Sequence, residues 1–224
     1  MFNFILYGMI ALIVFLILLY LIYLNLQRDR RVLAELSSEL GLIYDPGSFL
    51  FKWAKAGGKF RDRDVITGFN HSNSLTNYFK VSHRSRYIQY PIEVIARKPL
   101  SLNLSFFNEP GIVEIKTGDI MFDQSFIVKT RYPPEALYIL NPPMRAYIMQ
   151  LFSGLSAYST KYYRRLIITL NEVEFYPEAY ILNTVWIKNT LILLTDIAAT
   201  VEMPNPPITP NYGIISPNIP QYVY

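Results

Sequence analysis

The chain contains no cysteine and only two histidines. A disulfide framework, a thiol nucleophile and a cysteine zinc site are therefore excluded, and a metal centre built on imidazole has almost nothing to draw on. No glycine-rich phosphate loop, GxSxG elbow or HExxH pair occurs anywhere. His71 and His83 lack the spacing of paired ligands on one helix or loop and read as polar surface residues. The expectation is a non-catalytic protein without a cofactor. Charge is also missing from one place: of 21 basic and 17 acidic side chains, none precedes Arg28.

What fills that uncharged opening is apolar. From Phe4 to Leu26 the chain reads FILYGMIALIVFLILLYLIYLNL. As a helix this stretch would be about 34 Å long, slightly more than the ~30 Å of hydrocarbon in a bilayer. Tyr7 near one end, and Tyr20 and Tyr23 near the other, stand where amphipathic rings favour the headgroups. A cleaved secretory signal would need a positive start, a shorter apolar core and a small-residue cleavage site, and none is present. Arg28, Arg30 and Arg31 follow the span directly. The positive-inside rule then puts the N-terminus outside and the rest of the chain in the cytoplasm, as a single-pass protein of the cell membrane.

The pattern Leu33, Leu36, Leu40 continues a helix through residues 28–41, and Gly41 stands where a helix end favours a left-handed residue. Between Leu42 and Val128, short β-rich runs alternate with turn residues, as in LIY before DPG, NYFKVSH, YIQYPIEVIA and LSLNLSFF, which reads as an antiparallel meander. Two short helices are predicted next, from Pro134 to Leu140 and from an Asn141 cap to about Leu151. RRLIITL and VEFY form a hairpin, and a last helix spans Val185–Val201 behind Asn183 or Thr184. Lys188 and Asp196 interrupt that helix, so it reads as a core element rather than a second span.

The fold class expected is thus α+β: an N-terminal single transmembrane helix, then a largely antiparallel sheet packed with two to three helices. Four parts follow: a transmembrane anchor (1–27), a helical stem (28–41), a soluble α+β domain (42–202) and a tail (203–224). The tail carries six prolines and no charged side chain, so it cannot be helical. It is either a loose end or a strap docked on a partner or on its own domain.

Two clusters invite a chemical reading. Lys52, Lys55, Lys59, Arg61 and Arg63 surround Phe49, Phe51, Trp53 and Phe60. The segment Arg28–Lys98 holds 13 basic and 7 acidic residues, against 8 and 10 in the remainder. Such a mixture suits anionic headgroups or a partner surface, whereas an ordinary hairpin with its aromatics turned inward explains much of the same alternation. Nucleic acid is excluded as a partner by the interspersed acidic residues in an anchored chain. The second cluster is TGDIMFDQSFIVK. Asp119 and Asp123 resemble a carboxylate pair, but nothing nearby supplies a nucleophile or further ligands. Gly118 and Asp119 as a turn, with Phe122 and Phe126 anchoring it in the core, is the simpler account.

Gly118, Asp119, Phe122, Asp123, Phe126 and Val128 spell GDxxFDxxFxV. This stretch, with LAELSSELGLIYD and GKFRDRDV before it and PEALYILNPPMRAYIMQLF after it, resembles uncharacterised prokaryotic membrane-anchored proteins over roughly residues 32–201. The resemblance implies a domain of unknown function behind a membrane anchor, with no catalytic residues to carry over; the proline-rich tail departs from it. Together these features lead to an accessory or scaffolding subunit whose partners are the lipid bilayer and a membrane protein or a second copy. The alternative is a lipid-surface or small-ligand binding domain, and the last option is an uncharacterised enzyme using Asp119 and Asp123.

Overall fold

A computed structural model describes residues 2–48, 53–70, 76–97, 110–153 and 164–203. The expected LSLNLSFF strand, Phe49, Phe51, Lys52, His71 and the tail from 204 onward lie outside the described residues.

Helix α1 runs unbroken over Phe2–Leu40, with no glycine or proline after Gly8 to interrupt it. It ends where Gly41 adopts φ +68°, a conformation costly for any residue with a Cβ. The chain then turns back through β1 (Ile43–Asp45), where the Asp45 carboxylate accepts from the Gly47 amide at 3.0 Å. Strands β2 (Lys55–Phe60), β3 (Arg63–Asn70) and β4 (Thr76–Ser82) follow as antiparallel neighbours. Next come β5 (Ile92–Ala96), β6 (Val113–Ile115), α2 (Ile120–Ser125), β7 (Phe126–Thr130), α3 (Pro133–Ile139) and α4 (Pro142–Ser153). The hairpin β8 (Arg165–Ile168) and β9 (Glu172–Tyr176) precedes α5 (Thr184–Glu202).

Among the described residues all pairings are antiparallel, and their nine strands lie in the order β1-β2-β3-β4-β9-β8-β5-β7-β6. The α+β class is as expected, but the meander holds only through β4. The late β8–β9 hairpin slots between β4 and β5, pairing Phe79 with Phe175 and Val94 with Leu166. Leu166, Ile168, Val173 and Phe175 are all buried on its core face, and both of its backbone edges are paired, β9 with β4 and β8 with β5.

One face of the sheet carries the core. Phe79, Val81, Val173 and Phe175 project from it beneath α5, whose Ile187, Leu191, Leu194, Ile197 and Val201 are fully buried at helical spacing. Phe152 of α4 meets Phe175 and Phe126 edge to face, with ring centroids 5.3 and 5.0 Å away. The opposite face is polar at its centre, where Lys80 pairs with Glu174 at 2.6 Å and Glu172 at 3.4 Å. Both predicted asparagine caps form: Asn141 accepts from the Met144 amide at 3.0 Å and Asn183 from the Trp186 amide at 2.9 Å.

Candidate functional site

At the junction with the domain, α1 changes its surroundings. Every described side chain from Tyr7 to Leu24 is exposed, including Tyr7, Tyr20 and Tyr23. This part of the helix is long and apolar enough to cross a membrane. Leu26 is half-buried, and from Asp29 onward one side of the same helix enters the core: Asp29, Leu33, Leu36 and Ser37 are buried. The stem is therefore part of the domain's packing, lying on β2 and α5. Polar contacts secure both ends of this seam. The Tyr180 hydroxyl donates to Asp29, and Lys188 on α5 pairs with Glu39. Burial, reinforced by the Asp29 carboxylate, holds the Tyr180 phenol far above its ordinary range.

Arg28 and Arg31 point outward and Arg30 is half-buried. Arg30 lines a small niche with Leu26, Asp29, Ser48, Trp53 and Phe69. Trp53 is 43% exposed there, at the end of the domain where the apolar helix leaves it. Lys55 is close by at the start of β2, 4.0 Å from Asp45. Lys59 and Arg61 are elsewhere. Five strand residues carry β2 about 16 Å from Lys55 to Phe60, away from that end. The basic residues grouped in sequence therefore divide between two ends of one hairpin.

At the far end, Arg61 and Asp62 form a two-residue hairpin turn with φ of 50° and 62°. Arg61 pairs with Asp196 at 2.9 Å, and Arg63 holds Glu202 through two bonds of 2.7 Å. Arg61, Asp62, Arg63 and Glu202, with Lys59, Asp64, Ser82, His83 and Arg84, line a polar cavity of about 230 Å³. Four of its side chains are basic and three acidic, and both guanidinium–carboxylate pairs fasten the end of α5 to the β2–β3 hairpin. Arg63 and the Arg84 amide keep the Glu202 carboxyl below its usual range. His83 is 4% exposed; its Nδ1 accepts from the Ser85 amide at 3.2 Å, which leaves Nε2 to donate to the Thr169 carbonyl at 3.0 Å. Burial lowers its pKa; the reading of His83 as a surface residue is corrected by its burial, since the chain leaving β4 carries it inside.

No family model and no curated protein matches the chain. Among solved structures, it is similar to the crystal structure of the mycobacterial trehalose monomycolate transport factor A, TtfA. The TM-score is 0.54 over 81% of this chain and 98% of that one, at 13% sequence identity. The likeness is one of fold.

The GDxxFD stretch forms a short helix where a simple turn was expected. Asp119 caps α2 by accepting from the Phe122 amide at 3.1 Å, and its other oxygen meets Arg145 Nε at 3.2 Å. The Phe122 amide, with Arg145, holds this carboxyl below its ordinary value. Asp123 accepts from the Thr117 amide at 2.9 Å, the Thr117 hydroxyl at 3.0 Å and the Gly118 amide at 3.0 Å. Gly118 takes φ +83°, and Phe122 and Phe126 stack 4.7 Å apart inside. The two carboxylates thus serve separate backbone sites, with no cluster of three metal-ligating side chains among the described residues. Sequence reasoning missed Asp29, Tyr180, Lys188 and Glu202. The one local signal was Asp29, an acidic residue among three arginines.

Proposed function

We propose that the protein is a membrane-anchored, non-catalytic accessory subunit that holds its α+β domain against a larger membrane assembly. The observation that carries this reading is the division of α1: one helix, exposed and apolar before Leu24 and packed into the fold after Asp29. A continuous helix passes its tilt and rotation to whatever is packed on it, which a flexible linker would not do. Because Asp29 turns into the domain, the charges facing outward at this level are Arg28 and Arg31, a basic collar on the cytoplasmic side. The fold shared with a protein titled a transport factor supports placing this chain beside a membrane transport system. The GDxxFD resemblance fits the same reading, since both carboxylates are engaged in holding backbone.

The absence of cysteine makes the test direct. Asn3→Cys is expected to react with an impermeant maleimide in intact cells, and Lys59→Cys only in inverted vesicles. Labelling of Lys59→Cys from outside overturns the orientation, and recovery in the aqueous fraction overturns the anchor. Crosslinking in native membranes should then yield a membrane protein or a second copy. A lone monomer contradicts the accessory role.

A second reading, lipid binding at the membrane-facing end, is favoured by the half-exposed Trp53 beside Leu26 and Arg30, with Lys52 and Lys55 flanking it in sequence. Trp186 is the other tryptophan. In reconstituted Trp186→Phe protein, brominated lipid should quench Trp53 fluorescence; unquenched emission excludes the contact.

A further inference from the structure

Among the described residues, the basic side chains that the fold takes at least partly out of water are all engaged but one. Arg63 meets Glu202, Lys80 meets Glu174, Arg145 meets Asp119 and Lys188 meets Glu39. Lys55 and Arg165 lie 4.0 and 3.9 Å from Asp45 and Glu93, and Lys129 and Arg164 are engaged as well. Arg30, half-buried on α1, makes neither a hydrogen bond nor an ion pair with any described residue. Its neighbour Asp29 lines the same niche, but that carboxylate receives the Tyr180 hydroxyl. A guanidinium partly withdrawn from water and left without a partner gains from any anion brought to it, and its planar fork suits the oxygens of a phosphate.

The surroundings of Arg30 select the anion. Leu24, at the end of the exposed apolar run, is six positions earlier, about 9 Å along the helix. Long side chains on a helix lean towards its N-terminus, so the guanidinium is brought back towards Leu26, one turn nearer the bilayer and in the wall of the same niche. A headgroup layer is roughly 5–8 Å thick, which sets this guanidinium at the level of lipid phosphates. Half-exposed Trp53 beside it carries the amphipathic ring that favours the same layer. The niche holds about 10 Å³, room for one oxygen-sized group and not for a whole headgroup. A phosphate can therefore set one oxygen into it while its acyl chains stay outside, along Ile22 and Leu19. These two exposed residues continue the face of Arg30 and Leu26 at steps of four and three. Arg28 and Arg31, outward at the same level, favour a lipid of net negative charge.

We propose that Arg30 binds the phosphate of one anionic phospholipid, whose chains lie on the Leu26, Ile22 and Leu19 face of α1 with Trp53 beside the glycerol. The proposal rests on the reading of lipid binding at the membrane-facing end, and adds to it a site and a stoichiometry of one. The lipid phosphate takes the place at Arg30 that a carboxylate takes at Arg63 and Arg145.

The test uses the full chain in nanodiscs of equal parts phosphatidylglycerol and phosphatidylcholine, from which it is released inside a mass spectrometer. The wild type is expected to retain one phosphatidylglycerol. Arg30→Gln should lower the retained fraction about tenfold, as the loss of a charge-assisted bond does. Arg31→Gln, the same change of charge on an outward side chain, should lower it less than about twofold. Equal losses from the two variants, or equal retention of phosphatidylcholine, would show a diffuse basic collar and overturn the site. In detergent without phosphatidylglycerol, Arg30→Gln should melt no lower than the wild type, because the cation has no protein partner to lose; a lowered transition overturns the proposal too. Quenching of Trp53 by brominated lipid separates the two levels. Quenching without a retained lipid removes the site and leaves lipid contact standing, whereas the absence of both removes both.

Discussion

Among the described residues two helices are long and apolar enough to cross a membrane, and they meet opposite fates. In the opening part of α1 none of the apolar stretch is buried, whereas 44% of the apolar stretch of α5 is. Composition does not separate them as clearly as the company they keep. On α5 the apolar residues face the sheet, and its charged groups each find a partner: Lys188 meets Glu39, Asp196 meets Arg61, and Glu202 meets Arg63. The opening of α1 has no such surface to cover it. A helix becomes a core element when a complementary face exists within reach, and otherwise must find its apolar solvent elsewhere.

The largest test places one charge on each helix. Ile197 on α5 is fully buried. Ile197→Asp strands a carboxylate in the core and should cost more than about 4 kcal/mol, enough to abolish the domain's thermal transition. Ile13→Asp should leave that transition unchanged while raising the cost of membrane insertion by roughly 3 kcal/mol, seen as loss from the membrane fraction. The reverse outcome, a melted domain from Ile13→Asp with normal fractionation, would erase the distinction. A milder pair divides α1 itself. Leu36 is fully buried and Leu16 is exposed, so Leu36→Ala should lower domain stability by about 2–5 kcal/mol and Leu16→Ala should leave it unaltered in chemical denaturation.

The end of α5 adds a pH dependence that the opening of α1 lacks. His83 sits neutral between Ser85 and Thr169, with Glu202, Arg63 and Glu172 as the charged groups around it. Burial depresses its folded-state pKa, so as pH falls through the ordinary histidine range near 6.5 the unfolded chain takes up a proton before the folded one does. Stability is therefore complete above that range and declines below it, until the folded-state value is reached. The carboxyls of Glu202 and Asp119 are shifted below their usual values and contribute their own loss only at lower pH. Resistance of the wild type to denaturation should weaken as pH falls from about 7.5 to about 5.5, and His83→Asn should flatten that interval while leaving the acid limb.

Much of this was legible from local pattern. Leu33, Leu36 and Leu40 announced the stem, Asn141 and Asn183 announced the helix starts, and the runs NYFKVSH and VEFY announced β4 and β9. The insertion of β8–β9 between β4 and β5 was not legible, because strand order is decided by which edges need covering and no local motif encodes it. Nor was the seam. Tyr180 and Asp29 are 151 residues apart in sequence, and only the packed fold brings them together. The basic cluster divides for a related reason: residues close in sequence along a strand are carried to opposite ends of it.

The smallest effect expected is at the β2–β3 turn that receives α5. Arg61 and Asp62 both hold positive φ, a region that disfavours side chains with a Cβ. Asp62→Gly should relieve this and, after the entropy lost by glycine, raise stability by about 0.5–1 kcal/mol. Arg61→Gly relieves the same strain but removes the ion pair with Asp196 and the stacking of the guanidinium over Phe60 at 5.7 Å. An exposed pair contributes only about 0–1 kcal/mol, so the two terms should nearly cancel and Arg61→Gly should be close to neutral. A clear destabilisation by Arg61→Gly would show that the pair helps hold α5 in the core, and would make the contrast with α1 partly electrostatic.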